Sequence, residues 1–591
     1  MTNPRDEYER RFASWRAQIE GLGRRHATLS NTRLAIASAG AILLWQAFVR
    51  ARISPWWPVA DWLLFAVLAV VHALLLGRLE RARRAEAIYA RGLERLADRW
   101  AGTGRDGARF LEGHPYARDL DLFGRGSLFE RLNTARTEAG EVTLADWLRA
   151  GAPADDVRAR QAAIAELRDR LDFREDVAVL ASESDVGRTG ALAKWAASTP
   201  ESFPPFFRVV LPAAAAITVV LAVLGYNEVV GTEWLVVWIA AERLLVWRWR
   251  HAIDHVLHAI ETPEHDLALL SGLLARIERE SFAAPLLVDL RAALLAGGGA
   301  PSRRIARLRS LVSWSDSTHN LLFGPIAYAL LVKPQLAAAI ERWHRANGAA
   351  VADWLRIVGE IEALSALSTY AFERPRDPFP EIADAGPLVE GAALAHPLIG
   401  DAAAVANDVR LGGPHPRAFV ISGSNMSGKS TLLRTVGLNV VLALAGAPVR
   451  ATRLRLSPLV LGATLRIDDS LQEGHSRFFN EILRLRAIVD QARGPTPLLF
   501  LLDEILHGTN SHDRRIGADA VVRALLDRGA IGLVTTHDLA LTELPDELDA
   551  IVNTHFEDRF EHGRLTFDYR MRPGVVEHGN ALALMREIGL L

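Results

Sequence analysis

The sequence predicts an α/β domain at its C-terminal end, preceded by a long all-α region that carries two apolar helical hairpins. Three observations predict it. Up to about Phe372, apolar residues recur at spacings of three and four. From about Glu381, short β-rich runs such as Ala418–Ser422 and residues 498–502 alternate with helical stretches. Two pairs of nearly uncharged runs interrupt the helical part.

Composition bounds what such a chain can be. At roughly 150 residues per domain, 591 residues allow about four structural units. Half of the residues are hydrophobic and 23% are charged, which excludes a disordered chain. The mean hydropathy of +0.10 points to a few strongly apolar segments. A net charge of −2 announces no nucleic-acid partner. The absence of cysteine excludes disulfides, cysteine zinc sites, iron–sulfur clusters and a thiol nucleophile. Lysine is confined to Lys194, Lys333 and Lys429; every other basic residue is arginine, so each lysine invites inspection.

Residues 1–30 read as a charged helix without the pattern of a cleaved signal peptide. Residues 31–80 read as a transmembrane hairpin. Its two runs, 34–49 and 53–77, are each close to the roughly 20 residues that cross a bilayer. Arg24, Arg25 and Arg33 precede the pair; Arg78, Arg81, Arg83 and Arg84 follow it. Both flanks are therefore expected on the cytoplasmic side, against the weaker signal of Arg50 and Arg52 in the turn. A linker helix is expected over 81–118 and a first helical core over 119–205. A second transmembrane hairpin is expected over 206–250, interrupted by Glu242 and Arg243, which are costly in a bilayer unless paired. Trp45, Trp56, Trp57, Trp62, Trp234, Trp238, Trp247 and Trp249 lie in the two pairs, several near segment ends where indoles meet headgroups. The competing reading of both pairs is a buried hairpin inside a large soluble core. Residues 251–380 resume the helical pattern up to a linker with Pro375, Pro378 and Pro380, and 381–591 form the α/β domain.

The chemistry lies in that last domain. Gly423, Ser424, Asn425, Met426, Ser427, Gly428, Lys429 and Ser430 match G-x-x-x-x-G-K-[ST], after an apolar strand and before a helical pattern. Glycines let backbone amides converge on phosphates, and the helix N-terminus adds positive potential. Lys429 is expected to reach the β- and γ-phosphates and Ser430 to ligate Mg²⁺. The apolar run 498–502 ends in Asp503 and Glu504. Asp503 suits the Mg²⁺ shell, and Glu504 suits deprotonation of an attacking water. A third apolar run, 531–534, leads through Thr535 and Thr536 to His537, expected to contact the γ-phosphate at the C-terminal edge of the same sheet.

These elements, in this order, resemble the ABC-type ATPase superfamily and, within it, the MutS family. His396, Pro397 and Asn407 look like the opening of that family's ATPase domain. The loop with Asn425, Met426 and Thr431 is close to its phosphate loop. Asp468, Asp469 and residues 474–481 resemble its signature segment. Residues 503–513, 553–556 and 579–591 also fit. More faintly, 119–129, 132–140, Trp147, 160–164 and 360–367 resemble the family's helical core. The resemblance implies an ABC-type P-loop ATPase domain behind an all-α core and lever. It implies a homodimer through that domain, with Ser476 reaching the γ-phosphate held by the partner chain, and binding of ATP and Mg²⁺ by the loop and Asn407.

The departures set the expected role. No Phe-x-Glu triplet heads the chain, as it does in the family's mismatch-reading members. Little room is expected for a DNA-clamping insertion, and no helix-turn-helix or nuclease-like tail is expected after the ATPase-like part. Ala404 and Val405 stand where an aromatic residue flanks adenine. The expectation is a membrane-anchored dimeric ATPase in the inner or cytoplasmic membrane, its ATPase domain in the cytoplasm, that couples nucleotide state to movement of its helical core. The alternatives are a cytoplasmic DNA mismatch- or damage-binding ATPase and the ATPase component of a transporter. No arginine cluster beyond 78–84 supports DNA.

Overall fold

The computed structural model describes residues 3–182, 189–259, 264–318, 320, 323–466, 477–506, 510–537, 539–544, 548–561 and 564–576. They divide into two compact units: the first 100 residues with Asp172–Ser182, and the remainder.

In the first unit, Asn3 caps helix Pro4–Leu44 by accepting from the Arg5 amide, and Pro4 occupies the first helical position. A π-helical turn, Trp45–Val49, extends this helix. After a turn ending at Pro55, helix Trp56–Leu96 runs back along it. Tyr8 meets Tyr89 edge-on at 5.5 Å, His26 Nδ1 and His72 Nε2 are 2.8 Å apart, and Asp61 lies against Gly40. Each rod is about 60 Å long. The charged stretch expected as a separate helix over 1–30 thus continues into the apolar one, because Gly21 and Gly23 each cost a helix only about 1 kcal/mol. The linker helix expected to residue 118 ends instead at Leu96. Beyond it Gly102, Gly107 and Gly113 take positive φ, and one 3₁₀ turn, Ala108–Phe110, is all that forms before Leu128. Helix Leu171–Ala181, expected within the 119–205 core, belongs here. Arg11 lies 2.7 Å from Asp172 and 3.1 Å from Glu175, and Arg81 lies 2.7 Å from Asp176. The apolar halves of the two rods face outward: Leu34, Phe48, Trp56, Trp62 and Leu74 are 64–77% exposed.

The second unit is organised around a 42-residue helix, Val332–Glu373. Helices Glu138–Arg149, Ala154–Arg168, Thr189–Ala197, Pro301–Ser317 and Phe207–Tyr226 pack along it. Its fully buried Glu362 accepts from the amides of Arg136 (3.0 Å) and Thr137 (3.4 Å) and from the Thr137 hydroxyl. The second apolar pair comprises Phe207–Tyr226 and Thr232–Trp247. Between them the Thr218 hydroxyl donates to the buried Glu242 carboxylate at 2.7 Å. Among the described residues, Pro4–Val49, Trp56–Leu96 and Phe207–Tyr226 are long and apolar enough to cross a membrane. Thr232–Trp247, at 16 residues, is shorter, about 24 Å. Helices Phe323–Ala329 and Val332–Glu373 are long and apolar enough only when taken together, and they meet at 75° about Leu331, whose φ is 52°.

After Glu373 the chain turns to strands: β1 (Glu381–Ile382), β2 (Leu388–Leu394), β3 (Asn407–Gly412), β4 (Ala418–Ser422), β5 (Arg453–Leu456), β6 (Val460–Thr464), β7 (Leu498–Asp503), β8 (Ile531–Thr536), β9 (Ile551–Glu561) and β10 (Arg564–Pro573). A six-stranded sheet has the order β10-β9-β4-β8-β7-β6, with only β10 antiparallel to its neighbour. β4, β7 and β8 are almost wholly buried, which accounts for their unbroken apolar runs. β1, β5, β2 and β3 form a second, four-stranded sheet. The mostly helical region followed by a mixed α/β domain agrees with the expected class.

One buried carboxylate joins the two parts. Asp119, fully buried, accepts from the amides of Leu465 and Arg466 (2.8 Å each), just after β6. It also pairs with Arg484 of helix Arg477–Gln491. Asp119→Ala would remove the acceptor of two part-buried amides and the charge partner of Arg484, costing on the order of 2 kcal/mol. Asp119→Asn, which keeps one acceptor, should cost less. Urea unfolding of both variants measures the difference; equal, near-zero changes would contradict this role.

Candidate functional site

The parallel strands β4, β7 and β8 end side by side, and the residues singled out from the sequence follow them. Leaving β4, the chain passes through Gly423 (φ 148°) and Gly428 (φ 107°) into helix Lys429–Ala445. A Cβ on Gly423 would stand 2.9 Å from the Phe556 carbonyl oxygen, so only glycine fits without movement. The turn leaves the helix N-terminus open towards a cavity. Lys429 is 4% exposed. Its Nζ donates to the carbonyls of Gly423 (2.8 Å) and Ser424 (2.9 Å) and lies 3.7 Å from Glu504 Oε1 and 3.4 Å from His537 Nε2. Burial lowers its pKa from the ordinary lysine value, against the pull of Glu504 and Asp503. The Ser424 and Ser427 hydroxyl oxygens are buried without a hydrogen-bond partner. Unpaired buried hydroxyls are costly, and these two suit a ligand that supplies acceptors.

The acidic strand end is held by a residue that sequence reasoning passed over. The β7–β8 register sets Asp503 beside Thr535. The Thr535 hydroxyl donates to the Asp503 carboxylate and accepts from the Glu504 amide at 3.1 Å. Glu504 takes a left-handed φ of 47°, which turns its side chain off the strand direction, and its carboxylate contacts His537. Lys429, Glu504 and His537 thus meet in one place, with Asp503 beside Glu504. The available signal for Thr535 was a hydroxyl at the end of an otherwise apolar buried strand.

A cavity of about 570 Å³ opens from this cluster. Asn425, Met426, Gly428, Lys429, Ser430, Thr431 and Glu504 line one part; His396, Ile399, Ala404, Val405, Asn407 and Tyr569 line the rest. Tyr569 is the second residue that sequence reasoning missed. It sits where the β9–β10 register shifts, between Phe567 and Met571, at a φ of 55°, and its ring rests over Gly428. Asn407 lines the cavity, but its amide is engaged: it donates to the Tyr569 carbonyl (3.0 Å) and accepts from the Met571 amide (2.7 Å). That pairing holds the irregular segment and so places the Tyr569 ring. Ser476, with Asp468, Asp469 and residues 577–591, lies outside the described residues.

His396 closes the apolar end of the cavity. Burial, reinforced by the cations Arg434 and Arg450, pushes its pKa down to about 4. The folded state therefore binds fewer protons than the unfolded chain between about pH 6.5 and 4, and stability should fall as pH drops through that window, by about 3 kcal/mol. Chemical denaturation from pH 7 to 4 should show a slope that His396→Gln reduces; identical slopes would contradict it.

The family model described as MutS domain V matches residues 419–590. A DNA mismatch repair protein MutS from Natronomonas pharaonis is 34% identical over 253 residues, 42% of this chain and 28% of that protein. An Endonuclease MutS2 from Thermus thermophilus is 36% identical over 196 residues, 33% of this chain and 25% of its own. A DNA mismatch repair protein MutS from Brevibacillus brevis is 33% identical over 226 residues, 37% and 25% of the two chains. The chain thus spans about a quarter of the length of the curated relatives it matches. Over residues 419–590 the chain matches the MutS domain V family, and its similarity to MutS and MutS2 proteins covers 33–42% of its length.

Proposed function

We propose that this chain is a membrane-anchored, ABC-type MutS ATPase that hydrolyses Mg·ATP and works as a homodimer. The observation that carries the ATPase reading is the meeting of Lys429, Glu504 and His537 at the ends of three parallel strands, beside a glycine turn that opens a helix. The triphosphate lies over the loop amides and the helix N-terminus, and the Lys429 ammonium exchanges loop carbonyls for phosphate oxygens. Glu504 takes the proton of a water attacking the γ-phosphorus, the bond to the β-phosphate oxygen breaks, and ADP leaves. His537, against Glu504, meets the γ-phosphate. Ser430 and Asp503 would hold Mg²⁺, which neutralises phosphate charge when bound. One hydroxyl and one carboxylate suit an ion that keeps waters and takes substrate oxygens. The base end of the nucleotide occupies the part of the cavity under Tyr569. Ser476 of a second copy completes the site.

The membrane reading rests on the exposed apolar surface of the long helices. Contiguous apolar surface on this scale calls for a lipid or protein cover. The ATPase domain then lies in the cytoplasm, and the 42-residue helix carries nucleotide-dependent movement to the second apolar pair. A second reading, action on DNA, is favoured by the names of the relatives. Gel shifts with matched and mismatched duplexes at two salt concentrations separate the two, since phosphate contacts give a steep salt slope.

Two measurements test the proposal. Glu504→Gln should retain ATP binding while turnover falls by about two orders of magnitude, and Lys429→Ala should weaken binding at least tenfold. Unchanged turnover in Glu504→Gln would remove that residue from the reaction. Carbonate extraction of cells should leave the chain in the membrane pellet; release into the supernatant would refute the anchor.

A further inference from the structure

A second cavity, of about 390 Å³, lies far along the sequence from the nucleotide site, where the second apolar pair meets the bend at Leu331. Its walls carry three cations, Arg243, Arg250 and Lys333, against one carboxylate, Asp254. The rest is apolar or neutral, including Val246, Ile253 and Ala327. Arg243 stacks its guanidinium 3.9 Å from the Tyr328 ring centre and donates to the Tyr328 carbonyl, which ties the end of helix Thr232–Trp247 to helix Phe323–Ala329. The Arg243 Nε is buried and has no acceptor. Arg250 lies over Trp247 at 5.1 Å, and Phe206, Phe207 and Trp249 cluster edge-on at 5.1–6.0 Å at the same end of the helix pair. Aromatic rings at the end of an apolar helix pair mark headgroup depth in a bilayer. A basic pocket at that depth is suited to a lipid phosphate.

We infer that this pocket binds the phosphate of an anionic phospholipid headgroup, with Arg243, Arg250 and Lys333 as the recognising cations. The inference rests on the membrane reading above. Its chemistry is specific: a phosphate anion satisfies the Arg243 Nε and faces a lining of three cations to one carboxylate, while acyl chains lie along the exposed apolar residues Val236, Val237 and Leu244. A bound headgroup bridges the helix pair and the base of helix Val332–Glu373.

The test uses the full chain purified in detergent, so that its outcome does not depend on insertion; carbonate extraction judges the anchor separately. Short-chain phosphatidylglycerol should raise the melting temperature in a saturable way, and short-chain phosphatidylcholine should not. Arg250→Gln with Lys333→Gln removes two charges while sparing the Arg243–Tyr328 stack, and should weaken phosphatidylglycerol binding roughly tenfold or more. Asp254→Asn should tighten it. Equal shifts with both lipids, or an unchanged affinity in the double variant that still melts like the parent, would overturn the assignment. Glycerol phosphate matching phosphatidylglycerol would overturn the lipid as the source of the phosphate.

Discussion

The second unit depends on the continuity of one helix. Val332–Glu373 is 42 residues long, about 63 Å, and its far half is buried on nearly all sides. A continuous helix of that length curves only gently, and a sharp change of path needs a break in its hydrogen-bond ladder. Glu362 prevents it from sliding. Its carboxylate, sealed from water, accepts from two amides and a hydroxyl that open helix Glu138–Arg149. Burial raises its pKa, and those donors oppose the rise. The bend at Leu331 and the linker before β1 are the two places where the rod's path changes.

Asp119 gives the α/β domain a second attachment to the helical part. It holds the backbone leaving β6 and a side chain of helix Arg477–Gln491, the two elements on either side of residues 467–476. In the proposed dimer, the segment carrying Ser476 is therefore bounded by elements fixed to the helical core. The Asp119 carboxylate itself is sealed from water, which strengthens its hydrogen bonds and its ion pair with Arg484.

Much of the site was legible from the sequence because its chemistry is contiguous. A glycine loop, a lysine and a following helix occupy adjacent residues, and the loop geometry follows from residue type. Asp503 and Glu504 were legible because a strand of five apolar residues does not otherwise end in two acids. Thr535 and Tyr569 were not legible. The first owes its place to the register between β7 and β8, the second to an irregular pairing held by Asn407, a residue assigned to nucleotide and found bonded to backbone. The apolar runs were legible as runs, but not as parts of 41-residue rods, because two glycines within a helix weaken it without ending it.

The sequence by itself determined the glycine loop, its lysine and the acidic strand end, their order along the chain, and the mostly helical region followed by an α/β domain. These are local properties, set by spacing and by backbone preference over a few residues. Only the tertiary structure decided which threonine orients the acid, which aromatic ring covers the cavity, and that Arg243, Arg250 and Lys333 share one pocket. It also decided that Asp119 locks residues 465–466. Those pairs lie tens to hundreds of residues apart, and their meeting is set by strand register and helix packing, which no short stretch of sequence encodes.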